Sequence, residues 1–303
     1  MDGVRYSEHE IDSGNARIVI SVWEPQQQPE ANIVFIPATM LHALFYEQLL
    51  SGFAAHGFAV FGLHPVGHGK SPRDTKRYTI SDIVQNSRDA VTFALERYQL
   101  PVIVIGSSQG GLVAAELAAE DERIAAVFAN NIMLAELPQS ISITKFPQFI
   151  RFIYRPVQTA MKIMAKLSPD STMPLSFYLK GERVSSDHRI WEMVEKDELC
   201  LSRYSLYFLN SLFTTRFTGL TDGSIRCPVF ILANSGDKLF TSSYIKLVFE
   251  RIKAERKEIV PFNFGDHMIM VTHPKEICDA LTDIILKFGY TKRQQLLDRN
   301  DSA

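Results

Sequence analysis

Long apolar runs are missing from this chain: none reaches the roughly 20 residues that a membrane-spanning helix needs. The opening MDGVRYSEHE also lacks the apolar core of a secretory signal. Cysteine is scarce. Cys200, Cys227 and Cys278 are odd in number, far apart and without metal-ligand spacing, which argues against a disulfide framework or a zinc site. Charge of one sign is lacking too: 32 basic against 34 acidic residues leave a net charge of -2, so nothing suggests a nucleic-acid partner. Internal repeats and low-complexity tracts are absent. These absences lead us to expect a soluble protein in the reducing cytoplasm. With 303 residues it can bury a large core and exceeds a minimal domain, so one fold with an insertion and two lobes both remain open.

What is present alternates. Short apolar strand candidates recur at Arg17–Val22, Asn32–Ile36, Phe58–Leu63, Val102–Ile105, Ala125–Ala129, Val229–Ala233 and Glu258–Phe262. Helical periodicity fills intervals between them at Tyr46–His56, Ser81–Tyr98 with Ser81 as N-cap, Leu112–Glu120, Tyr244–Ile252 and Lys275–Phe288. Such alternation predicts an α/β fold, a mostly parallel sheet flanked by helices on both faces. It breaks between about residues 131 and 220. This interval has no clear strand, is rich in Phe, Met and Leu, and is punctuated by Pro138, Pro147, Pro156, Pro169 and Pro174, so it reads as a helical insertion. The expected organisation is a core of residues 1–130 and 221–303 with a helical insertion at 131–220. The tail at 291–303 reads as frayed or disordered.

One turn carries chemistry. Gly106-Ser107-Ser108-Gln109-Gly110 fits G-x-S-x-G between the Val102–Ile105 strand and the Leu112–Glu120 helix. There the middle serine takes a strained backbone, and the glycines admit the close approach of neighbouring chain, so the Ser108 hydroxyl emerges at the carboxyl end of the sheet. A serine nucleophile needs a base, and the base an orienting acid. In this arrangement the chain order is serine, acid, histidine. PVFILANSGDK, from Pro228 to Lys238, runs a strand into a turn holding Asp237, and EIVPFNFGDHM, from Glu258 to Met268, does the same for His267. His273 lies one step further from its strand, and Asp266 adjoins the histidine too closely to fold back onto its ring. Ser108, Asp237 and His267 are therefore the candidate catalytic residues. The backbone N–H of Gln109, at a helix N-terminus, is one candidate oxyanion donor.

A second donor is expected from the loop after the Asn32–Ile36 strand, PATMLHALFY, from Pro37 to Tyr46. Here the sequence resembles the serine α/β-hydrolases of the monoacylglycerol lipase and lysophospholipase type. Those carry H-G-x-x-x-x-x-x-x-Y after a strand, a G-[YF]-x-V strand, then D-x-x-G-H-G-x-S. This chain has Tyr46 at the matching distance from Pro37, then Gly57-Phe58-Ala59-Val60, then HPVGHGKS from His64 to Ser71. The resemblance implies the α/β-hydrolase fold, Thr39 as the second backbone donor, and a helical cap, or lid, in the insertion. It departs at two places, where Pro37-Ala38 replaces His-Gly and His64 replaces Asp; the second reads as a structural substitution. Substrate-contact candidates are Met40 and His42 in the loop and Phe149, Phe152, Met161 and Met164 in the cap. His42 and His68 read as braces rather than catalysts.

The expected activity is serine carboxylic-ester hydrolysis, esterase- or lipase-like, on a small or acyl-chain ester, with no metal or organic cofactor. Acyl transfer or thioester hydrolysis by the same residues stays open, as does a non-catalytic ligand-binding role. The cap adds one more feature. No acidic residue falls between Glu136 and Asp170, while Lys145, Arg151, Arg155, Lys162 and Lys166 do. This basic amphipathic pattern, split by Pro156 into two expected short helices, reads either as a solvated face or as a contact for anionic membrane.

Overall fold

The computed structural model describes residues 3–289. The tail expected at 291–303 lies outside them. The described residues form ten strands: β1 (Val4–Ser13), β2 (Ala16–Pro25), β3 (Asn32–Ile36), β4 (Ala59–His64), β5 (Val102–Ser107), β6 (Ile124–Asn130), β7 (Thr172–Pro174), β8 (Arg203–Ser205), β9 (Val229–Asn234) and β10 (Lys257–Phe262). Eight form one sheet in the order β1-β2-β4-β3-β5-β6-β9-β10, and β7 pairs with β8 apart from it. From β4 to β10 every pairing is parallel, while β2 runs antiparallel to both β1 and β4. This is the α/β-hydrolase arrangement.

The central strands are apolar on both sides because both faces are covered. Alternate residues divide between two cores. Val34, Ile36, Val102 and Val104 face one, while Ile33, Phe35, Ile103 and Ile105 face the other. Helices Ile80–Arg97 and Gln109–Glu120 cover the first side; Glu47–Ala55 and Pro274–Lys287 cover the second. Parallel pairing then sets the carboxyl ends of β3, β5, β6, β9 and β10 along one edge, and the turns leaving them meet there.

Local chemistry departs from the sequence reading in four places. The edge strand β1 is VRYSEHEIDS, polar and largely exposed, so it has no apolar signature although it pairs along its full length with β2. Helix Ile80–Arg97 is capped by Thr79, not Ser81: Thr79 and Asp82 exchange side-chain and backbone hydrogen bonds in a capping box, at 3.2 and 2.7 Å. The insertion does contain strand: β7 and β8 pair over three residues, too short to leave a pattern. Pro156 does not split the basic segment. A 3-10 turn at Gln148–Ile153 precedes a single helix, Tyr154–Leu167, and Pro156 lies in that helix's first turn, where a missing N–H costs nothing. Among the described residues no helix is long and apolar enough to cross a membrane.

Glu116, on the inner face of helix Gln109–Glu120, is buried with Oε2 lacking a hydrogen-bond partner. Burial, reinforced by Glu120 and Asp222, pushes its carboxyl up from 4.5 to about 7. The folded chain therefore holds a proton there that the unfolded chain releases near its ordinary carboxylate range. The associated stabilisation is complete below that range and is lost as pH rises through about 7. Thermal unfolding of wild type and Glu116→Gln checks this: the variant should gain on wild type between pH 5 and pH 8, and parallel Tm profiles would show that Glu116 does not titrate in this window.

Candidate active site

Ser108 leaves β5 at φ 53° and ψ -113°, a conformation that a β-carbon resists. Its neighbours show why glycine is required. A β-carbon on Gly106 would lie 2.1 Å from the Gly110 carbonyl oxygen, and one on Gly110 would lie 2.2 Å from that of Ile36. The turn is pinned by the Ser108 N–H donating to the Asn130 carbonyl at 2.7 Å, so β6 helps aim the hydroxyl. Ser108 is half-buried at the rim of the sheet.

Asp237 and His267 arrive from the turns after β9 and β10. His267 Nε2 lies 3.2 Å from Ser108 Oγ, and Nδ1 lies 2.7 Å from Asp237 Oδ2. A carboxylate only accepts, so Nδ1–H donates to Asp237 and the Nε2 lone pair faces the serine hydroxyl. Asp237 is fixed in turn: its Oδ1 accepts the N–H groups of Leu239 and Phe240 at 2.7 and 2.8 Å. The Phe240 ring stacks on the imidazole, centroids 5.3 Å apart. Asp266 is occupied elsewhere, its Oδ2 accepting from Ser185 Oγ at 2.6 Å and Oδ1 from the Met268 N–H at 2.7 Å. His273 stacks on Phe264 and bonds Thr272.

Thr39 and Gln109 border the same cleft as Ser108, a cavity of about 50 Å³. Neither backbone N–H has an acceptor among the described residues. The Thr39 hydroxyl donates to Gln109 Oε1 at 3.2 Å, linking the two candidate donors. Tyr46, the motif tyrosine, donates to Ser107 Oγ at 3.2 Å and accepts the Ala38 N–H at 3.4 Å, so it ties the loop to the elbow.

The two departures have structural answers. His64 Nδ1 accepts the Lys70 N–H at 3.1 Å, which assigns the ring proton to Nε2 and to Ser21 Oγ at 3.0 Å. Burial pulls His64 down to about 3, so it stays neutral and serves the turn. His68 is likewise neutral, pulled by burial to about 4. The other loop candidates need correction. Met40 and His42 are buried and line neither cavity: Met40 packs into the core, and His42 is drawn away by Asp197, whose Oδ2 lies 2.7 Å from Nε2. His42, Asp197 and Cys200 bring possible metal-ligand atoms within 4.8 Å of one another. The Cys200 thiol is pushed up by burial to about 12 and is therefore protonated.

The candidates from residues 149–164 divide. Met161 and Met164 line an apolar chamber of about 220 Å³ together with Phe146, Val157 and Leu209. Phe149 and Phe152 line no cavity and are 64% and 77% exposed, because the 3-10 turn carries them outward. Thr144, Tyr178 and Phe213 belong to the walls of both the chamber and the serine cleft. Of the chamber's polar groups, the Tyr154 hydroxyl donates to the Ala135 carbonyl at 2.8 Å and the Gln158 amide to that of Phe213 at 2.7 Å, while the buried Tyr178 hydroxyl has no hydrogen-bond partner among the described residues. Sequence reasoning missed Asn131, which follows β6 at φ 69° and donates from Nδ2 to Asp237 Oδ2 at 3.2 Å. Its place just after a central strand was the available signal.

The chain as a whole is similar to known proteins. A family model described as serine aminopeptidase, S33, matches residues 27–273. A monoacylglycerol lipase of Mycolicibacterium smegmatis is 34% identical over 108 residues, which is 35% of this chain and 39% of the relative's length. The fold is similar to that of Paleococcus ferrophilus monoacylglycerol lipase, with TM-score 0.67 and 19% identity over 92% of this chain and 99% of that one. A soluble variant of Saccharomyces cerevisiae monoglyceride lipase, solved with a substrate analog, gives TM-score 0.73 and 13% identity over 94% and 95%.

Proposed function

The chain belongs to the serine aminopeptidase S33 family of hydrolases, and on that premise we propose that it is a carboxylic-ester hydrolase that cleaves an acyl-chain ester through an acyl-enzyme on Ser108. The observation that carries this reading is the Asp237–His267–Ser108 relay beside an apolar chamber. Ser108 Oγ attacks the ester carbonyl while His267 Nε2 takes its proton. The oxyanion of the tetrahedral intermediate meets the N–H groups of Thr39 and Gln109, each worth about 3 kcal/mol in such sites. Collapse breaks the ester C–O bond, and the alcohol leaves with the proton from Nε2. Water, activated by the same imidazole, then releases the acid. Asp237 holds the Nδ1 proton and stabilises the transient imidazolium.

Two features favour an ester of a hydrocarbon chain over a peptide amino terminus. An amine-binding site calls for a carboxylate, and no acidic side chain lines either cavity among the described residues. The chamber is walled mainly by apolar side chains, so it offers a guest apolar surface, and an acyl chain reaches it past Tyr178 and Phe213.

The same cap suits a lipid-like source of substrate. On helix Tyr154–Leu167, Arg155, Lys162 and Lys166 follow one another at spacings of seven and four and form one exposed stripe. Beside it Ile163, Met164 and Leu167 are exposed, with Phe149 and Phe152 from the preceding turn. Tyr154 and Ala165 hold the opposite face inward. A cationic stripe flanking exposed apolar side chains fits the interface of an anionic bilayer.

Ser108→Ala should abolish fluorophosphonate labelling and turnover while Ser107→Ala keeps most of both; activity surviving Ser108→Ala would overturn the mechanism. Across p-nitrophenyl esters, kcat/KM should rise at least roughly tenfold from acetyl to octanoyl as methylenes enter the chamber. A flat profile would remove the chamber from substrate binding. Phosphatidylserine vesicles should bind the protein at low salt and release it at high salt. Glutamine at positions 151, 155, 162 and 166 should weaken that binding without changing turnover of a small soluble ester, and failure of wild type to bind would leave the stripe a solvated face.

A further inference from the structure

The turn that carries Thr39 has its shape set from outside. Leu41 N–H donates to the Ala38 carbonyl at 3.1 Å, closing a four-residue turn whose third position, Met40, has φ 66°. That position ordinarily favours glycine, and a methionine there needs its surroundings to hold it. Three residues of the insertion do so. Met40 N–H donates to the Tyr204 hydroxyl at 2.7 Å, and Met40 C=O accepts the Leu201 N–H at 2.9 Å. Two residues on, His42 is paired with Asp197. Asp197 in turn accepts the Leu199 N–H at 2.8 Å, and Arg73 donates to the Glu198 carbonyl at 3.1 Å and that of Gly69 at 3.3 Å, so the 197–204 segment is itself tied to the core.

The proton directions in this brace are unambiguous. His68 Nδ1 lies 2.9 Å from the Val66 carbonyl, which only accepts, so Nδ1 carries the proton and Nε2 accepts. The Tyr204 hydroxyl, 2.7 Å from that Nε2, therefore donates to His68 and accepts from Met40. Every group in the relay is used once. Tyr204 is 1% exposed, so losing either partner leaves a buried polar group away from bulk solvent.

We propose that Tyr204 and Asp197 are positioning residues that make the insertion's 197–204 segment assemble the oxyanion site, so that turnover requires this segment to be seated on the Ala38–His42 turn. The inference rests on the ester-hydrolase reading above. It accounts for how a loop with Pro37-Ala38 in place of His-Gly keeps its shape: the bonds that fix it come from across the insertion. An unseated segment lets Met40 relax from its left-handed strain, and the Ala38–Leu41 turn that holds the Thr39 N–H in register with that of Gln109 shifts with it.

Tyr204→Phe tests this, because it keeps the ring packed on Phe208 and His68, at centroid distances of 4.4 and 5.5 Å, and removes only the hydroxyl. Turnover per fluorophosphonate-titrated site should fall roughly 30- to 100-fold with KM within about twofold of wild type, the pattern of a lost transition-state interaction. An acyl trifluoromethyl ketone, whose adduct with Ser108 carries an oxyanion, should weaken by the same factor, while an ether bearing the same acyl-length chain binds as before. Asp197→Ala, at a half-exposed position, should show a smaller loss of the same kind and decides the matter if Tyr204→Phe does not fold. Wild-type kcat in the folded variants, or equal weakening of ketone and ether, would overturn the proposal. Turnover surviving Ser108→Ala would instead sink the hydrolysis mechanism on which it stands.

Discussion

Ser108 is held at φ 53° and ψ -113° by a turn that closes only because Gly106 and Gly110 lack β-carbons, and this strained contact between β5, β3 and the following helix organises everything near it. The strain costs of order 1–3 kcal/mol. It persists because both faces of the sheet are packed, so that β3, β5 and β6 cannot separate to relieve it. Its consequence is geometric. The serine hydroxyl is lifted above the sheet edge at the same level as the turns after β9 and β10, which lets single side chains from each complete a relay across 30 and 159 residues of sequence separation.

How much of this the sequence disclosed follows from burial. Strands covered on both faces are continuous apolar runs, so β3, β4, β5, β6 and β9 stood out, whereas β1, with one wet face and charges at Arg5, Glu8 and Glu10, did not. The meeting of Ser108, Asp237 and His267 was legible because each falls in a turn just after such a strand, and parallel pairing carries those turns to one edge. Met40 and His42 were misplaced for a different reason. Loop membership says which residues are near a site but not which way they face, and here the Asp197 carboxylate and the Tyr204 hydroxyl decide that. Tyr204 has no local signature at all; it lies 164 residues from Met40, and only the fold joins them.

The insertion thus has two consequences at the sheet edge. It supplies the apolar chamber next to the serine cleft, and it reaches down onto the turns that surround Ser108. Arg183 donates to the carbonyls of Ser142, Thr144 and Lys238, and the His267 N–H donates to the Val184 carbonyl at 3.2 Å. Contacts on the acid loop, the histidine loop and the Thr39 turn all come from this one segment of chain. A change in how it sits would be felt at three points of the site together, through hydrogen bonds rather than through shape alone.

The central claim is that Ser108 carries the acyl group between the two halves of the reaction. Rapid acid quench during turnover of p-nitrophenyl octanoate, followed by peptide mass spectrometry, reads this directly. An octanoyl adduct is expected on the peptide containing Ser108. Steady turnover with no adduct there, or with the acyl group on another residue, would contradict it.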